Sequence, residues 1–260
     1  MIPLYPLYND SKEYALGLLQ KIIVKDPFIL KSNYVREFII KTALSENFDF
    51  YSNLLSNIQL DDNYYKRLVS GIFTRYGLEM EKAQNIALKY IESDDNDIRQ
   101  EVARVFSQYA QINDVVSTKF YQENFDKLVN DKEIKVSQEC LHFIYHIDNI
   151  SDLFDSPLFN IILNSDVLFS DTHIIYSINE KPFDKNYLNQ YKAIIHRYVE
   201  LKNKKLPNQE SSYEISKLFD IILKVYEFQE DKEILDIIDS FLLVPIDIYH
   251  DLFKNFERTF

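Results

Sequence analysis

An apolar–basic dipeptide recurs in this chain at an interval typical of helical repeats. It occurs as Val35-Arg36, Tyr65-Lys66 and Ile98-Arg99, at intervals of 30 and 33 residues. Each copy follows a short polar segment. Each is followed by apolar residues four, seven and eight positions later, with Thr42 as the exception. Periods of this length are typical of arrays in which each unit buries its apolar face against the next unit. The dipeptide therefore predicts stacked helical hairpins.

The scarcity of glycine narrows the fold further. The chain has 3 glycines among 260 residues. Phosphate-binding loops and tight strand hairpins need glycine where the backbone adopts positive φ or approaches a ligand closely. An α/β nucleotide-binding fold is therefore disfavoured, and we predict an all-α chain of long helices with short polar connections.

Three segments follow from the distribution of apolar residues and prolines. Residues 1–9 contain Pro3 and Pro6 and are predicted to be an extended N-terminal segment. Residues 10–147 show the helical period and are predicted to form the hairpins. Residues 148–260 are predicted to be a less regular helical half that continues the array, since Pro157 and Pro182 interrupt its pattern.

Four details of the hairpins can be predicted. Gly77 stands where a C-terminal cap would end the fourth helix. The cluster of Asp94, Asp95 and Asp97 is interpreted as a helix cap rather than a cation site. Ile98, Val102 and Phe106 are expected in a buried seam, with Arg104 on the opposite side. The eighth helix could be oriented about its axis either by the Ile134-Lys135 dipeptide or by an apolar face. We expect the apolar face to decide, so that the buried residues are Val136, Cys140, Phe143 and Ile144.

The net charge of −12 is concentrated in the second half of the chain. Residues 1–130 carry 15 basic and 18 acidic residues, and residues 131–260 carry 14 and 23. The candidate partner-binding residues lie in this acidic half, namely Glu230, Asp231, Glu233 and Asp236. They would steer a protein partner with a basic surface, or they would be a solvated face that aids solubility; both interpretations stay open. We do not expect nucleic acid or a membrane as partner, because the net charge repels both.

The search for reactive groups finds no catalytic, cofactor or metal motif, so we expect a protein that is not an enzyme. His142 and His146 share a helix face but have no evident third ligand. Arg36, Lys66 and Arg99 would track a phosphate chain or contact cap carboxylates of neighbouring units, and the acidic net charge favours the second interpretation. A single cysteine, a start without a signal-peptide pattern and no long apolar run together predict a cytoplasmic protein.

Two segments resemble known repeats. Asp97–Phe106 is similar to the second helix of a HEAT repeat, in which an acidic turn precedes an aliphatic–arginine pair and small apolar residues. Asn33–Phe38 resembles it as a second copy. The resemblance implies a HEAT-like solenoid, an α-α superhelix of helical hairpins, over about residues 10–147.

A longer resemblance covers about residues 78–260. The order of Ala87–Phe106, Tyr187–Leu201, Ser212–Ile246 and Tyr249–Phe260 is similar to the C-terminal helical region of large bacterial ATPases of the STAND and AAA types that are associated with antiphage defence. The resemblance implies a sensor or scaffold that serves an NTPase, and hence an NTPase subunit as a partner. Since this chain shows no NTPase part, no activity is carried over.

Two other function classes remain open at this point. A HEAT-like DNA-repair glycosylase, or another nucleic-acid-binding solenoid, would need a basic concave face with aromatic and acidic catalytic residues. The absence of tryptophan and the net charge of −12 argue against that class. An inhibitor or immunity protein would instead cover a basic enzyme surface with the acidic half.

Overall fold

The computed structural model describes residues 4–43, 47–57, 63–165, 172–203, 212–229 and 232–242. All regular structure within these ranges is helical, and no strand occurs in them, which confirms the all-α prediction. Among these residues, no helix combines the length and the apolar character that crossing a membrane requires.

The helices follow one another with short connections. The first eight are α1 (Leu4–Asp10), α2 (Lys12–Lys25), α3 (Asn33–Thr42), α4 (Phe48–Ser56), α5 (Asn63–Glu79), α6 (Gln84–Ile91), α7 (Asn96–Tyr109) and α8 (Asn113–Val116). The next eight are α9 (Lys119–Val129), α10 (Ile134–Leu141), α11 (Ser151–Phe154), α12 (Phe159–Asn164), α13 (Thr172–Glu180), α14 (Leu188–Asn203), α15 (Ser212–Phe228) and α16 (Lys232–Leu242). Short 3₁₀ turns occupy Pro27–Lys31, Glu81–Ala83, His142–Tyr145 and Lys185–Tyr187.

The prediction of an extended segment at residues 1–9 is wrong for its described part, because α1 is a helix from Leu4 to Asp10. Pro6 lies in its first turn, where the missing N–H leaves no helical hydrogen bond unmade. The rings of Tyr5 and Tyr8 pack edge-on against Phe38, with centroids 5.0 and 5.6 Å apart. Contact with α3 therefore stabilises a helix whose local sequence favours an extended chain.

The helices that carry the recurring dipeptide lie side by side. α5 contacts both α3 and α7, and α7 contacts α10. On the other side of the core, α6 contacts α5, α7 and α9. The predicted apolar faces of these helices are buried, as Phe38, Ile72 and Val102 illustrate. This row of α3, α5, α7 and α10, hereafter the inner row, forms the surface on which the candidate site lies.

The buried apolar residues form two clusters that meet at α5. The first cluster extends from Leu4 to Ala83, and the second extends from Leu78 to Ile238. The second cluster continues past residue 147, since Ile144, Leu153 and Ile194 all belong to it. The less regular half therefore shares one core with the hairpins that precede it.

Gly77 does not cap α5, so that prediction was wrong. The helix continues to Glu79, and Gly77 faces α6 instead. A Cβ atom on Gly77 would lie 2.4 Å from the Cβ of Ala87, a separation that real side chains do not tolerate. The residue is thus a packing glycine, which allows α6 to approach α5 closely.

The rotation of α7 is the one that the sequence predicts. Val102 and Phe106 are completely buried, whereas Ile98, expected in the same seam, is only half-buried. Asp95 caps the helix by accepting from the amides of Asp97 and Ile98, as predicted. Arg104 lies on the side opposite the seam, with 41% of its side chain exposed, and pairs with Glu101 of the same helix and with Glu139 of α10.

The rotation of α10 is the one that burial predicts. Val136, Cys140, Phe143 and Ile144 are all buried, whereas Ile134 of the dipeptide is 41% exposed. Burial of an apolar face, rather than the position of a surface dipeptide, thus determines the rotation of this helix about its axis.

A pair of glycine substitutions tests the close approach of α6 to α5. We expect Gly77→Ala to destabilise the protein by about 1–3 kcal/mol, as overpacking does. Gly17→Ala is the matched control, because a Cβ at Gly17 has no atom within 4 Å, and alanine inside α2 should stabilise the protein by about 0.5–1 kcal/mol. Urea unfolding measures both changes. Equal effects of the two substitutions would contradict the packing role of Gly77.

A second substitution tests the seam of α7. Phe106 packs against Tyr121, whose hydroxyl donates to the Phe106 carbonyl at 2.6 Å. Phe106→Ala should lower the free energy of unfolding by about 3–5 kcal/mol, as large truncations in a core do. Lys127→Ala, at an exposed position of α9, is the control and should change it by less than about 1 kcal/mol. A small effect at Phe106 would show that the seam is assigned to the wrong face.

Candidate functional site

The acidic residues predicted as partner-binding are only partly within the described structure. Glu230 and Asp231 lie outside the described residues. Glu233 and Asp236 lie on α16 and are exposed. The Glu233 carboxylate is 3.7 Å from Nδ1 of His196 on α14. The exposure of this face fits both interpretations given above, so partner steering stays a prediction.

The three basic residues of the dipeptides do not act alike. Arg99 donates from Nε and Nη2 to the Asp131 carboxylate at 2.7 and 3.1 Å. Arg36 bonds the carbonyls of Leu30 and Lys31, in its own unit, and Lys66 is exposed. The predicted contact with a neighbouring unit is therefore confirmed for Arg99 alone.

The Arg99–Asp131 pair ties α7 to the start of α10. Both side chains are nearly buried, with 7% and 11% of their surfaces exposed. Asp131 also accepts from the amide of Glu133 at 2.9 Å, where α10 begins. Burial alone would raise the pKa of the Asp131 carboxyl, but the hydrogen bonds from Arg99 and from the Glu133 amide together hold it below its ordinary value of 3.8. The pair is a structural link rather than a reactive one.

The histidines and the cysteine lie at one edge of the inner row. The rings of His142 and His146 are 4.8 Å apart, and both residues are exposed. Cys140 is completely buried, and burial raises the pKa of its thiol, which keeps it protonated at neutral pH. Within the described part of the chain, no three potential metal ligands come together.

A groove over α5 is one concave feature of the inner row. It has a volume of about 330 Å³ and lies between α3 and α7. Its charged lining consists of four arginines and one carboxylate, namely Arg36, Arg67, Arg75, Arg104 and Glu101. This lining has a formal charge of +3, in contrast to the net charge of −12 of the whole chain. We call this feature the α5 groove.

The floor of the α5 groove is a glycine between two arginines. Arg67, Gly71 and Arg75 are four residues apart, so all three lie on one face of α5. Because Gly71 has no side chain, Glu101 of α7 lies directly on it. A Cβ there would lie 3.2 Å from the Glu101 Oε1 atom. The spacing Arg-x₃-Gly-x₃-Arg is the sequence signal of this floor, and it is separate from the recurring dipeptides.

Arginines link consecutive helices around the groove. Arg75 of α5 donates to Glu37 of α3 at 2.9 Å and to Gln108 of α7 at 3.0 Å. Arg104 of α7 donates to Glu101 at 2.9 Å and to Glu139 of α10 at 2.8 Å. These links hold the groove walls in a fixed geometry, because each planar guanidinium bonds two groups at once.

A second hollow continues the surface beyond α7. It has a volume of about 340 Å³ and shares Arg104 and Gln108 with the α5 groove. Glu139, His142 and His146 line its other side. The concave surface thus extends across four helices, from α3 to the end of α10.

Comparison with protein-family models, with curated proteins and with solved structures finds no match to this chain. The two resemblances are therefore supported only by the segments that show them, and the geometry of the inner row is the remaining evidence about function.

The link between α7 and α10 gives a prediction about stability and pH. Arg99→Met should lower the free energy of unfolding by about 3 kcal/mol at neutral pH, because it leaves the Asp131 carboxylate nearly buried without its cation. Since the folded pKa of Asp131 is lowered, the pair stabilises the fold above pH 3.8 and loses this effect as the pH falls through the folded pKa.

The same logic gives a matched control. Asp131→Asn keeps an oxygen that accepts from the Glu133 amide but removes the charge, so its cost should be largest at neutral pH and shrink in acid. Urea unfolding at several pH values measures this. A cost of Asp131→Asn that does not change with pH would contradict the ion pair.

Proposed function

We propose that this protein is a non-enzymatic interaction module, a HEAT-like solenoid that binds another protein along its inner row. The observation that carries this proposal is the α5 groove, a concave and positively charged surface on an acidic chain. In stacked helical hairpins, the concave side is the surface that such proteins commonly offer to a partner. Four neighbouring helices joined by arginine links would form a binding surface that needs no cofactor.

The chemistry of the groove supports binding rather than catalysis. Arginine stays protonated at any physiological pH, so it is a hydrogen-bond donor and not a general base. Glu101 is the carboxylate of the groove, and it is held by Arg104 at 2.9 Å and by Arg67 at 4.0 Å. Recognition of a partner is what these groups can do together.

The biological context in this proposal comes from the resemblance to helical regions of bacterial antiphage-defence ATPases. It supports a sensor or scaffold that acts beside an NTPase subunit in a bacterial assembly. An NTPase partner would supply the bond chemistry, and this chain would supply the contact surface. The cytoplasm is the compartment in which such an assembly works.

Affinity purification from the source cells, with two surface variants, tests this proposal. The tagged wild type should capture a cross-linked partner protein. The Arg67→Glu variant, in which one charge of the groove is reversed, should capture several-fold less of it. Lys127→Glu is the matched control outside the groove, where Lys127 pairs with Glu92, and it should retain the partner. Unchanged urea midpoints for both variants would exclude unfolding as the cause.

A third variant separates the two candidate surfaces. Glu233→Lys with Asp236→Lys reverses the described part of the acidic face on α16. Loss of the partner in this variant, together with retention in Arg67→Glu, would move the contact to the acidic face. Recovery of nucleic acid and no protein partner would overturn the proposed function itself.

A further inference from the structure

We infer that the α5 groove binds an acidic, extended segment of the partner protein, with a partner carboxylate on Arg67. This inference rests on the proposed function and deepens it, because it names the chemistry of the segment that is recognised. The inference is based on the few bonds that Arg67 makes and on the position of the Glu101 carboxylate over Gly71. It is also based on the length of the groove and on the distribution of charge around it.

Arg67 is the least bonded arginine of the groove. Its guanidinium lies 4.0 Å from the Glu101 carboxylate, and its side chain is 27% exposed. Within the described residues, its guanidinium makes no hydrogen bond, whereas Arg36, Arg75 and Arg104 each make at least two. No Arg67 nitrogen is among the buried polar atoms that lack a partner, so its N–H donors are open to solvent, and a carboxylate is the group that accepts two of them at once.

Glu101 shows how a carboxylate fits this place. It lies on Gly71 with its oxygens between Arg67 and Arg104, and its side chain is 17% exposed. Because Arg104 is the nearer cation and Arg67 is 4.0 Å from Glu101, the N–H donors of Arg67 remain available to a second carboxylate. The groove is thus built for carboxylates, and one of its positions is filled by the protein itself.

The length of the groove fits an extended peptide. Arg67 and Arg75 are eight residues apart on α5, a rise of about 12 Å. An extended chain covers this distance in about four residues, and side chains two or four residues apart point to the same side. Acidic side chains at every fourth position would therefore reach Arg67 and Arg75 in turn, with the intervening chain lying over Gly71.

The distribution of charge favours a peptide over a nucleic acid. Glu101 lies among the arginines of the groove, and Glu37 and Glu139 pair with Arg75 and Arg104 beside it. A phosphate backbone carries closely spaced negative charges and would meet these carboxylates as well as the net charge of −12. A peptide with separated carboxylates can place each of them on an arginine and avoid the glutamates.

Fluorescence anisotropy with a defined peptide tests the inference. The probe is a short fluorescein-labelled peptide of Glu-Thr-Ser-Thr repeats, which places a glutamate at every fourth position. Its counterpart carries glutamine in place of each glutamate. At low salt, the wild type should bind the glutamate peptide at least about ten-fold more tightly, the effect of one charge-assisted contact of about 1.4 kcal/mol.

Three variants assign the binding to the groove. Arg67→Gln should weaken the glutamate peptide about ten-fold, and Lys127→Gln, outside the groove, should leave its affinity unchanged. Gly71→Ala should also weaken it, because a Cβ at that position pushes the Glu101 carboxylate into the space of the peptide. Equal affinities for the two peptides, or unchanged binding with Arg67→Gln, would overturn the inference. Tighter binding of a single-stranded oligonucleotide of the same length would also overturn it.

The outcomes separate this inference from the proposed function. If both the wild type and the Arg67→Gln variant capture a protein from the source cells, the proposed function stands, but the inference of an acidic segment bound at Arg67 is refuted. If the wild type binds the glutamate peptide through Arg67 but captures no protein, the groove does bind carboxylates, but the proposed role as an interaction module is refuted.

Discussion

The close packing of α5 against two different helices is the constraint on which the rest of the structure depends. Gly77 admits α6 on one side, and Gly71 admits the Glu101 side chain of α7 on another. The two glycines are six residues apart, which turns them by about 240° around the helix axis. α5 thus sets both its distance to α6 and the depth of the α5 groove. A side chain at Gly77 would push α6 outwards, while one at Gly71 would change the groove and leave the core in place.

Arginine links carry this packing along the inner row, and their exposure decides what each contributes. Arg99 and Asp131 are nearly buried, so breaking that pair costs stability. The Arg75–Glu37 and Arg104–Glu139 pairs are more exposed, and pairs of that kind contribute about 1 kcal/mol or less each. Their main effect is to fix the geometry of the groove walls. The protein therefore keeps its stabilising ion pair away from the groove and its positioning pairs around it.

The opposite charges of the groove and of the whole chain have a consequence for binding. A lining of +3 on a chain of −12 attracts carboxylates only at short range, because salt screens the charges beyond about 8 Å at physiological ionic strength. At longer range the acidic field repels polyanions. Such an arrangement disfavours polyanions, while a single carboxylate that is already close to the groove is attracted to its arginines.

The sequence by itself determined the all-α class and the buried faces of α3, α7 and α10, because each of these follows from the period of apolar residues along one helix. It did not determine α1, which forms through contact of Tyr5 and Tyr8 with Phe38, thirty residues or more away. It placed Gly77 at a helix end, because the partner that needs the missing side chain, Ala87, belongs to the next helix. It placed Arg104 opposite the seam of α7 but did not give its partner Glu139, because that residue belongs to another helix. The groove and the pairing of Arg67 with Glu101 were decided by tertiary structure alone, because a concave surface and an ion pair between helices depend on which side chains of neighbouring helices come within a few ångströms.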